Sequence, residues 1–420
     1  MQELRITRRR CVQLAAASVG GLGAFALHGD DQPAAKPVQP KSVAAVVTVY
    51  THKSHADVLV GKILEGWKQD GGPGPALKLA ALYVDQFPAR DLSRGLAKKH
   101  GFPIFDTIAG ALTAGGNQIA VDGVLCIGEH GDYPLNSKGQ QLYPRQRFMD
   151  EVCDTFKKHG RVVPVFNDKH LGPVWEEGKW MYDRAKALKV PYMAGSSLCV
   201  TYRDPDLEVP PGSDIEAAVG IGYGSLDAYG FHALEAYQRL VECRRGGETG
   251  VKSVECLRGP ALWKVVEQRV PPELLEAALA RLPDRKGDAF RNDERSFLFS
   301  FDYADGFKGT LLMLPGYVGG TTAAVKLKGN PQPLATRFEE RTEPCHPHFA
   351  YLLKGVERMI HTGQPSYPVE RCLLTSGILD RALTSLADGQ RKLATPELQI
   401  SYQPVNYPHA PMPILLEAPV

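Results

Sequence analysis

The sequence has almost no excess charge. Across 420 residues, 49 Lys and Arg stand against 47 Asp and Glu, a formal net charge of +2. That balance gives no electrostatic reason to expect nucleic acid or a membrane surface as partner. Internal repeats and low-complexity tracts are absent, and no stretch beyond the first 27 residues is apolar for long enough to span a bilayer. Cysteine is present but unpatterned. Cys126, Cys153, Cys199, Cys243, Cys256, Cys345 and Cys372 are scattered, with no C-x-x-C pair, and describe no disulfide framework. The most informative absence is glycine in one turn. The run "VAAVVTVYTHKSHADVLV" (43–60) reads as a buried strand, a tight turn and the start of a helix. Such a turn normally carries glycines so that backbone can close on a pyrophosphate. Here it carries Thr51, His52, Lys53, Ser54, His55, Ala56 and Asp57.

The composition, 43% hydrophobic and 23% charged, is that of a soluble globular protein long enough for two domains. Residues 1–27 stand apart. Arg8, Arg9 and Arg10 precede a Gly/Ala-rich apolar segment ending in Ala24-Phe25-Ala26, the layout of a twin-arginine-type export signal. The expected location is therefore periplasmic or otherwise extracytoplasmic, with the twin-arginine export machinery as a partner. Gly21-Leu22-Gly23-Ala24-Phe25-Ala26 matches the G-x-G-x-x-A dinucleotide fingerprint by letter, but it follows a charge cluster rather than a strand. Residues 28–41 form a Pro-rich linker.

From 42 to 200, strands and helices alternate. Strands are expected at "SVAAVVTVY", "LKLAALYVD", "VDGVLCIGE", "RVVPVF" and "PYMAGSS", with helices between them. This predicts a Rossmann-like, doubly wound parallel sheet. From 201 to 420 the pattern predicts an α+β domain with a largely antiparallel open sheet and helices on one face. Its expected elements are a helix at "HALEAYQRLVECRR", strands at "VKSVECLRG", "RSFLFSFDYADG" and "KGTLLMLPG", helices near 346–362 and 369–388, and a last strand at "LQISYQP". Asp305-Gly306 is a hairpin turn signal.

Ligands of a doubly wound sheet gather beyond the carboxyl ends of its strands. The candidates there are Thr51, Lys53 and Ser54 after the first strand, Asp85 after the second, Glu129 after the third, and Asp168, Lys169 and His170 after the fourth major one. Asp85 suits a ribose hydroxyl, and Lys53 and Ser54 at a helix start suit a phosphate. Lys169 could exchange a proton with a substrate oxygen, and Asp168 beside it would keep it charged. In the second domain, His232 sits in a Gly-x-His-x-x-Glu frame with Gly230 and Glu235, as a general base would.

These residues resemble the Gfo/Idh/MocA superfamily of glucose–fructose oxidoreductases and inositol dehydrogenases. "NDKHL" (167–171) stands where that family has Glu-Lys-Pro-Leu, and "YGFHALE" (229–235) where it has Asp-x-Gly-x-His-x-x-Asp. The resemblance implies NAD or NADP as cofactor, a sugar or polyol as substrate, and Lys169 with His232 as the proton-transfer pair. It also implies export with cofactor already bound. Departures are plain: the glycine loop is missing, the motif's first aspartate falls on Ala228 with Asp227 one place off, and residues 129–148 form an insertion. Two alternatives stand beside the oxidoreductase. One is a metal-assisted enzyme with ligands from Glu129, His130, Asp132, Asp168, His170 and His232. The other is a non-catalytic carbohydrate-related protein that has lost nicotinamide binding. Copies of the chain could also associate through the C-terminal sheet.

Overall fold

Two sheets organise the chain in the computed structural model, which describes residues 39–410. The expected export signal and most of the linker lie outside the described residues. The first half contains β1 (Lys41–Val47), α1 (His55–Glu65), β2 (Leu77–Val84), α2 (Ser93–His100), β3 (Ile104–Phe105) and α3 (Ile108–Thr113). β4 (Gly123–Ile127), α4 (Arg145–His159), β5 (Val165–Asp168), α5 (Trp175–Ala187) and β6 (Tyr192–Gly195) follow. The six strands are parallel, in the order β3-β2-β1-β4-β5-β6. β1 is central, which explains its unbroken apolar run: Ala44 and Val46 enter one core while Val43, Ala45 and Val47 enter the other. Strand order reverses between β1 and β4, so the ligand crevice of such sheets opens at their carboxyl ends. α1 starts there because the Ser54 hydroxyl accepts the Asp57 N–H from an extended backbone.

The second half contains β7 (Arg203–Asp204), β8 (Ile215–Gly222), α6 (Ala228–Val241), β9 (Val251–Arg258), α7 (Leu262–Arg269), α8 (Pro272–Leu279), β10 (Phe297–Tyr303) and β11 (Lys308–Met313). β12 (Thr321–Leu327), β13 (Leu334–Phe338), α9 (Pro347–Thr362), α10 (Val369–Ala387) and β14 (Leu393–Ala394) complete it. Its eight-stranded sheet runs β14-β9-β10-β11-β8-β12-β13-β7, antiparallel throughout except for the β8–β11 pair. The Asp305-Gly306 hairpin joins β10 to β11 as expected, with Gly306 at φ +94° and the Asp305 carboxylate accepting the Phe307 N–H.

Three expectations are corrected. The second sheet is covered on both faces. Phe299, Phe301 and Tyr303 pack with α6 and α10, while Leu298, Leu312 and Ala324 pack beneath α7 and α8. The side of β10 expected to face water is therefore buried, with Leu298 at 0% and Ser300 at 2% exposure. The signal for α8 was present: Pro271-Pro272 suits a helix start, and Leu274, Leu275, Ala278 and Leu279 fall on one buried face. Each fully buried leucine there contributes about 1.5–3 kcal/mol.

The second correction concerns the last strand. "LQISYQP" forms only an isolated bridge, Glu248 to Tyr402, and the strand lies earlier, at β14. The third concerns α9, which leaves its sequence neighbours and packs on the first sheet: Leu352, Leu353, Val356 and Met359 share a core with β1 and α1. Residues from Gln39 onward consequently form one compact unit. None of the described cysteines is paired, and no helix among the described residues is long and apolar enough to cross a membrane.

Candidate functional site

Two hollows meet over the carboxyl edge of the first sheet. The outer cleft, about 680 Å³, is lined by Thr51, His52, Lys53 and Ser54 of the β1–α1 turn, Gln86 to Pro88 and Arg90 after β2, and His130 to Asp132 after β4. The inner cavity, about 450 Å³, lies between that edge and the second half of the chain. Its walls are Lys53 and His55 from the turn, Glu129 and His130 after β4, Lys169 after β5, and Tyr229 and His232 of α6. Glu340, His346 and His348 close it from the segment leading into α9. Lys53 and His130 line both hollows.

The backbone is strained where these walls converge. Nine non-glycine residues among those described have positive φ, and four of them, Lys53, His130, Lys169 and His346, line the inner cavity. A left-handed conformation is unfavourable for such side chains and persists only where surrounding contacts hold it. Lys169 is turned this way (φ +67°) just past β5, bridged to Gly195 of β6.

Glu129 and Lys169 form the buried charged centre. The Arg145 guanidinium donates to Glu129 Oε2 at 2.6 Å, and Lys169 Nζ lies 3.3 Å from Oε1. Burial pushes the Glu129 carboxyl up, but Lys169 and Arg145 together hold it well below the usual carboxylate range. Lys169 Nζ also donates to the Ala228 carbonyl at 3.3 Å. Its charge partner is thus Glu129, not Asp168 as the sequence reading expected. Asp168 is engaged elsewhere: it sits 2.6 Å from His55 Nδ1, is 1% exposed, and orients that imidazole.

His232 is positioned by a residue the sequence reading passed over. The Ser196 hydroxyl lies 2.6 Å from its Nδ1 and already accepts the Leu198 N–H at 3.0 Å. That contact fixes the orientation of the imidazole and occupies Nδ1, so Nε2 is the nitrogen on the other side of the ring. Burial, reinforced by the Lys169 charge, holds this imidazole well below its ordinary range. Burial and His55 likewise bring His130 down to about 4. Glu235, one turn past His232, does not face the cavity; it takes the Ser196 N–H, the Thr375 hydroxyl and the Cys199 thiol, and burial raises its carboxyl.

The remaining candidates divide. Thr51, Lys53 and Ser54 line the outer cleft. Asp85 does not: Tyr83 and Tyr133 each donate to it at 2.7 Å, and Arg147 pairs with it. His170 turns away behind Lys169, its Nε2 accepting from Arg145 at 3.1 Å with the ring against Phe231. Asp227 starts α6 and accepts the Gln141 N–H from the insertion. With His170 committed to Arg145 and Glu129 committed to two cations, the expected metal set is not assembled. No group of three or more His, Cys, Asp or Glu among the described residues is arranged to hold a metal ion.

No protein-family model and no curated protein sequence matches the chain. Solved structures do match. GenD2 from gentamicin A biosynthesis, in complex with NAD, superposes with a TM-score of 0.54 at 14% identity, over 85% of this chain and 97% of that one. Myo-inositol 2-dehydrogenase from Lactobacillus plantarum gives 0.52 at 12% identity, over 85% and 99%. Apo scyllo-inositol dehydrogenase from Lactobacillus casei gives 0.53 at 11%, over 85% and 98%. The chain has the fold of the Gfo/Idh/MocA oxidoreductases. Within that fold Lys169 follows the fifth strand of the first sheet and His232 rides on the first long helix of the second half, both lining one cavity.

The turn after β1 can be tested against the dinucleotide of that fold. The Thr51 N–H goes to Ser54 Oγ at 3.1 Å, and the Lys53 N–H to Asp57 Oδ2 at 2.8 Å. Backbone donors that a glycine loop would offer are therefore met within the turn. What faces the cleft instead is cationic, Lys53 and Arg90, at the positive end of α1. The cleft lies where the β1–α1 turn meets the carboxyl edge of the sheet, and Asp132 also lines it.

Proposed function

We propose that the protein is an NAD(P)-dependent oxidoreductase acting on a small polyhydroxylated molecule, a sugar or polyol. The observation that carries this reading is the junction at Lys53 and His130. There the cleft suited to a dinucleotide opens into the cavity that contains Lys169 and His232. The likeness to GenD2, solved with NAD, and to two inositol dehydrogenases supports it. Lys53, Ser54 and Arg90 would hold the phosphates, and the bound nicotinamide supplies hydride acceptance or donation.

The chain's own residues handle the proton. Lys169 presents Nζ to the cavity with Glu129 as its counter-charge, so it can give a proton to, or hold one against, a substrate oxygen. His232, with Nδ1 tied to Ser196, turns Nε2 to the same oxygen. Glu340, whose carboxyl burial raises and which accepts from the Tyr223 hydroxyl at 2.8 Å, closes the far wall. We further place its work outside the cytoplasm, on the basic cluster and apolar stretch of residues 1–27. Cell fractionation of the full-length protein, with and without Arg9→Lys and Arg10→Lys together, tests that placement.

A second reading is favoured by Asp57. Its carboxylate takes the Lys53 N–H and stands 3.6 Å from His52, a negative charge at the mouth of the phosphate site. On that reading the fold persists without nicotinamide. Titration with NADH and NADPH, followed by fluorescence and by melting temperature, decides between the two. Saturable binding with a rise in Tm supports the oxidoreductase; no binding and an unmoved Tm at millimolar cofactor leaves the second reading.

A further inference from the structure

The wall of the inner cavity opposite the strand ends contains two ring nitrogens without partners. His346 begins α9 in a left-handed conformation (φ +51°), and Pro347 and His348 form its first turn. The two imidazoles stand perpendicular, 5.7 Å apart, and His348 packs on Phe349 at 4.7 Å. His348 is 7% exposed and its ring lies by the Arg341 backbone, which favours a proton on the nitrogen facing it. With the proton on that nitrogen, the other, Nδ1, is a bare acceptor. That Nδ1 is buried and has no partner, and the same is true of His346 Nε2. Among the cavity-lining residues described, these are the two whose buried side-chain nitrogens go unmet. Buried polar atoms are almost always satisfied, so an unmet pair on a cavity wall points to what the cavity takes in.

The acceptor's chemistry narrows the ligand. Burial, with His346 and His55 nearby, keeps His348 uncharged, so it can receive a hydrogen bond but cannot offset an anion. We propose that His348, with His346 beside it, is a hydroxyl-binding subsite whose bare Nδ1 accepts from a ligand hydroxyl other than the one facing Lys169 and His232. The cavity then selects uncharged polyols over sugar acids. This rests on the reading that the cavity binds a polyhydroxylated substrate.

The test is calorimetric titration of the full-length protein at neutral pH with myo-inositol, D-glucose and D-glucuronate as probes, and with NADH separately. At least one uncharged probe is expected to bind, with glucuronate about tenfold weaker or worse. His348→Phe, which keeps the ring volume and removes the acceptor, should weaken the uncharged probe by about tenfold, and His348→Asn should restore it to within about threefold. NADH affinity should be the same in all three proteins, which also reports that the variants fold. Wild-type-like polyol binding by His348→Phe overturns the subsite, as does a failure of His348→Asn to rescue. Equal binding of glucuronate, or no binding by any probe, overturns it too. Should polyol binding behave as expected while NADH fails to bind, the oxidoreductase reading falls and the subsite stands.

Discussion

The Ser196 hydroxyl, just past the end of β6, lies 2.6 Å from Nδ1 of His232 on α6. That hydrogen bond links the two halves of the chain at the cavity and fixes the orientation of the imidazole. Ser196→Ala removes that restraint while leaving both walls in place. The expected result is a fall in kcat of about tenfold or more, with NADH affinity unchanged and the pH–rate profile displaced. Steady-state kinetics across pH, beside a cofactor titration, checks it; an unaltered profile would leave Ser196 only a helix-capping role.

Asp57 competes with a bound phosphate for the β1–α1 turn. Asp57→Asn keeps an oxygen for the Lys53 N–H but removes the negative charge. NADH should bind about three- to tenfold more tightly, while the protein loses about 0.5 kcal/mol of stability because α1 has lost an acidic residue from its first turn. Fluorescence titration and urea unfolding measure the two effects on one preparation. Weaker NADH binding in the variant would mean that the carboxylate organises the turn for the cofactor.

Glu129→Gln leaves Arg145 and Lys169 buried without their counter-charge. The expected loss is about 3 kcal/mol in urea unfolding at neutral pH. The pH dependence follows in sign. Glu129 is held charged in the folded protein at pH values where the unfolded carboxyl, near its ordinary value of about 4.3, would take a proton. Its stabilisation is therefore complete above that value and drains away as pH falls below it. The gap between wild type and variant should narrow in acid.

Lys62 is wholly buried, donating to the Trp67 carbonyl at 3.2 Å and to the Cys345 carbonyl. Burial lowers it from 10.5 to about 8. Below pH 8 both folded and unfolded forms are charged, and folding bears the full penalty. Between about 8 and 10.5 the unfolded chain holds more protons, so stability rises with pH. Measured against Lys62→Met, wild type should gain about 2 kcal/mol between pH 8 and pH 10. A constant difference across that range would show that Lys62 titrates normally.

Much of the fold was legible because periodicity is a local property. β1, β2, β4 and β6, the helix capped by Ser54, the Asp305-Gly306 hairpin and both C-terminal helices fall where apolar runs and turn residues put them. α7 and α8 were missed although Pro271-Pro272 and the leucine spacing announced a helix. The false last strand at "LQISYQP" had the right alternation but no neighbour to pair with along its length. At the site, Lys169 and His232 do face one cavity. Asp168 and Asp85 were chosen by position at strand ends, and each proves to be taken up by a partner remote in sequence, His55 for one and Tyr133 with Arg147 for the other. Ser196, Arg145 and His348 gave little local signal, because what makes each matter is a contact made across the chain.

The sequence by itself determined the two kinds of sheet, the place of the ligand crevice and the absence of a glycine loop. These follow from the side-chain period, the βα alternation and the residues of a single turn. Only the tertiary structure decided how the charges are paired, which nitrogen of His232 meets Ser196, and that both faces of the second sheet are covered. It also decided that His346 and His348, brought in by a helix that crosses back to the first sheet, share a cavity with Lys169. Hydrogen bonds, burial and Coulomb interactions act over a few ångströms of space, and across residues 53 to 348 that space is set by packing rather than by order along the chain.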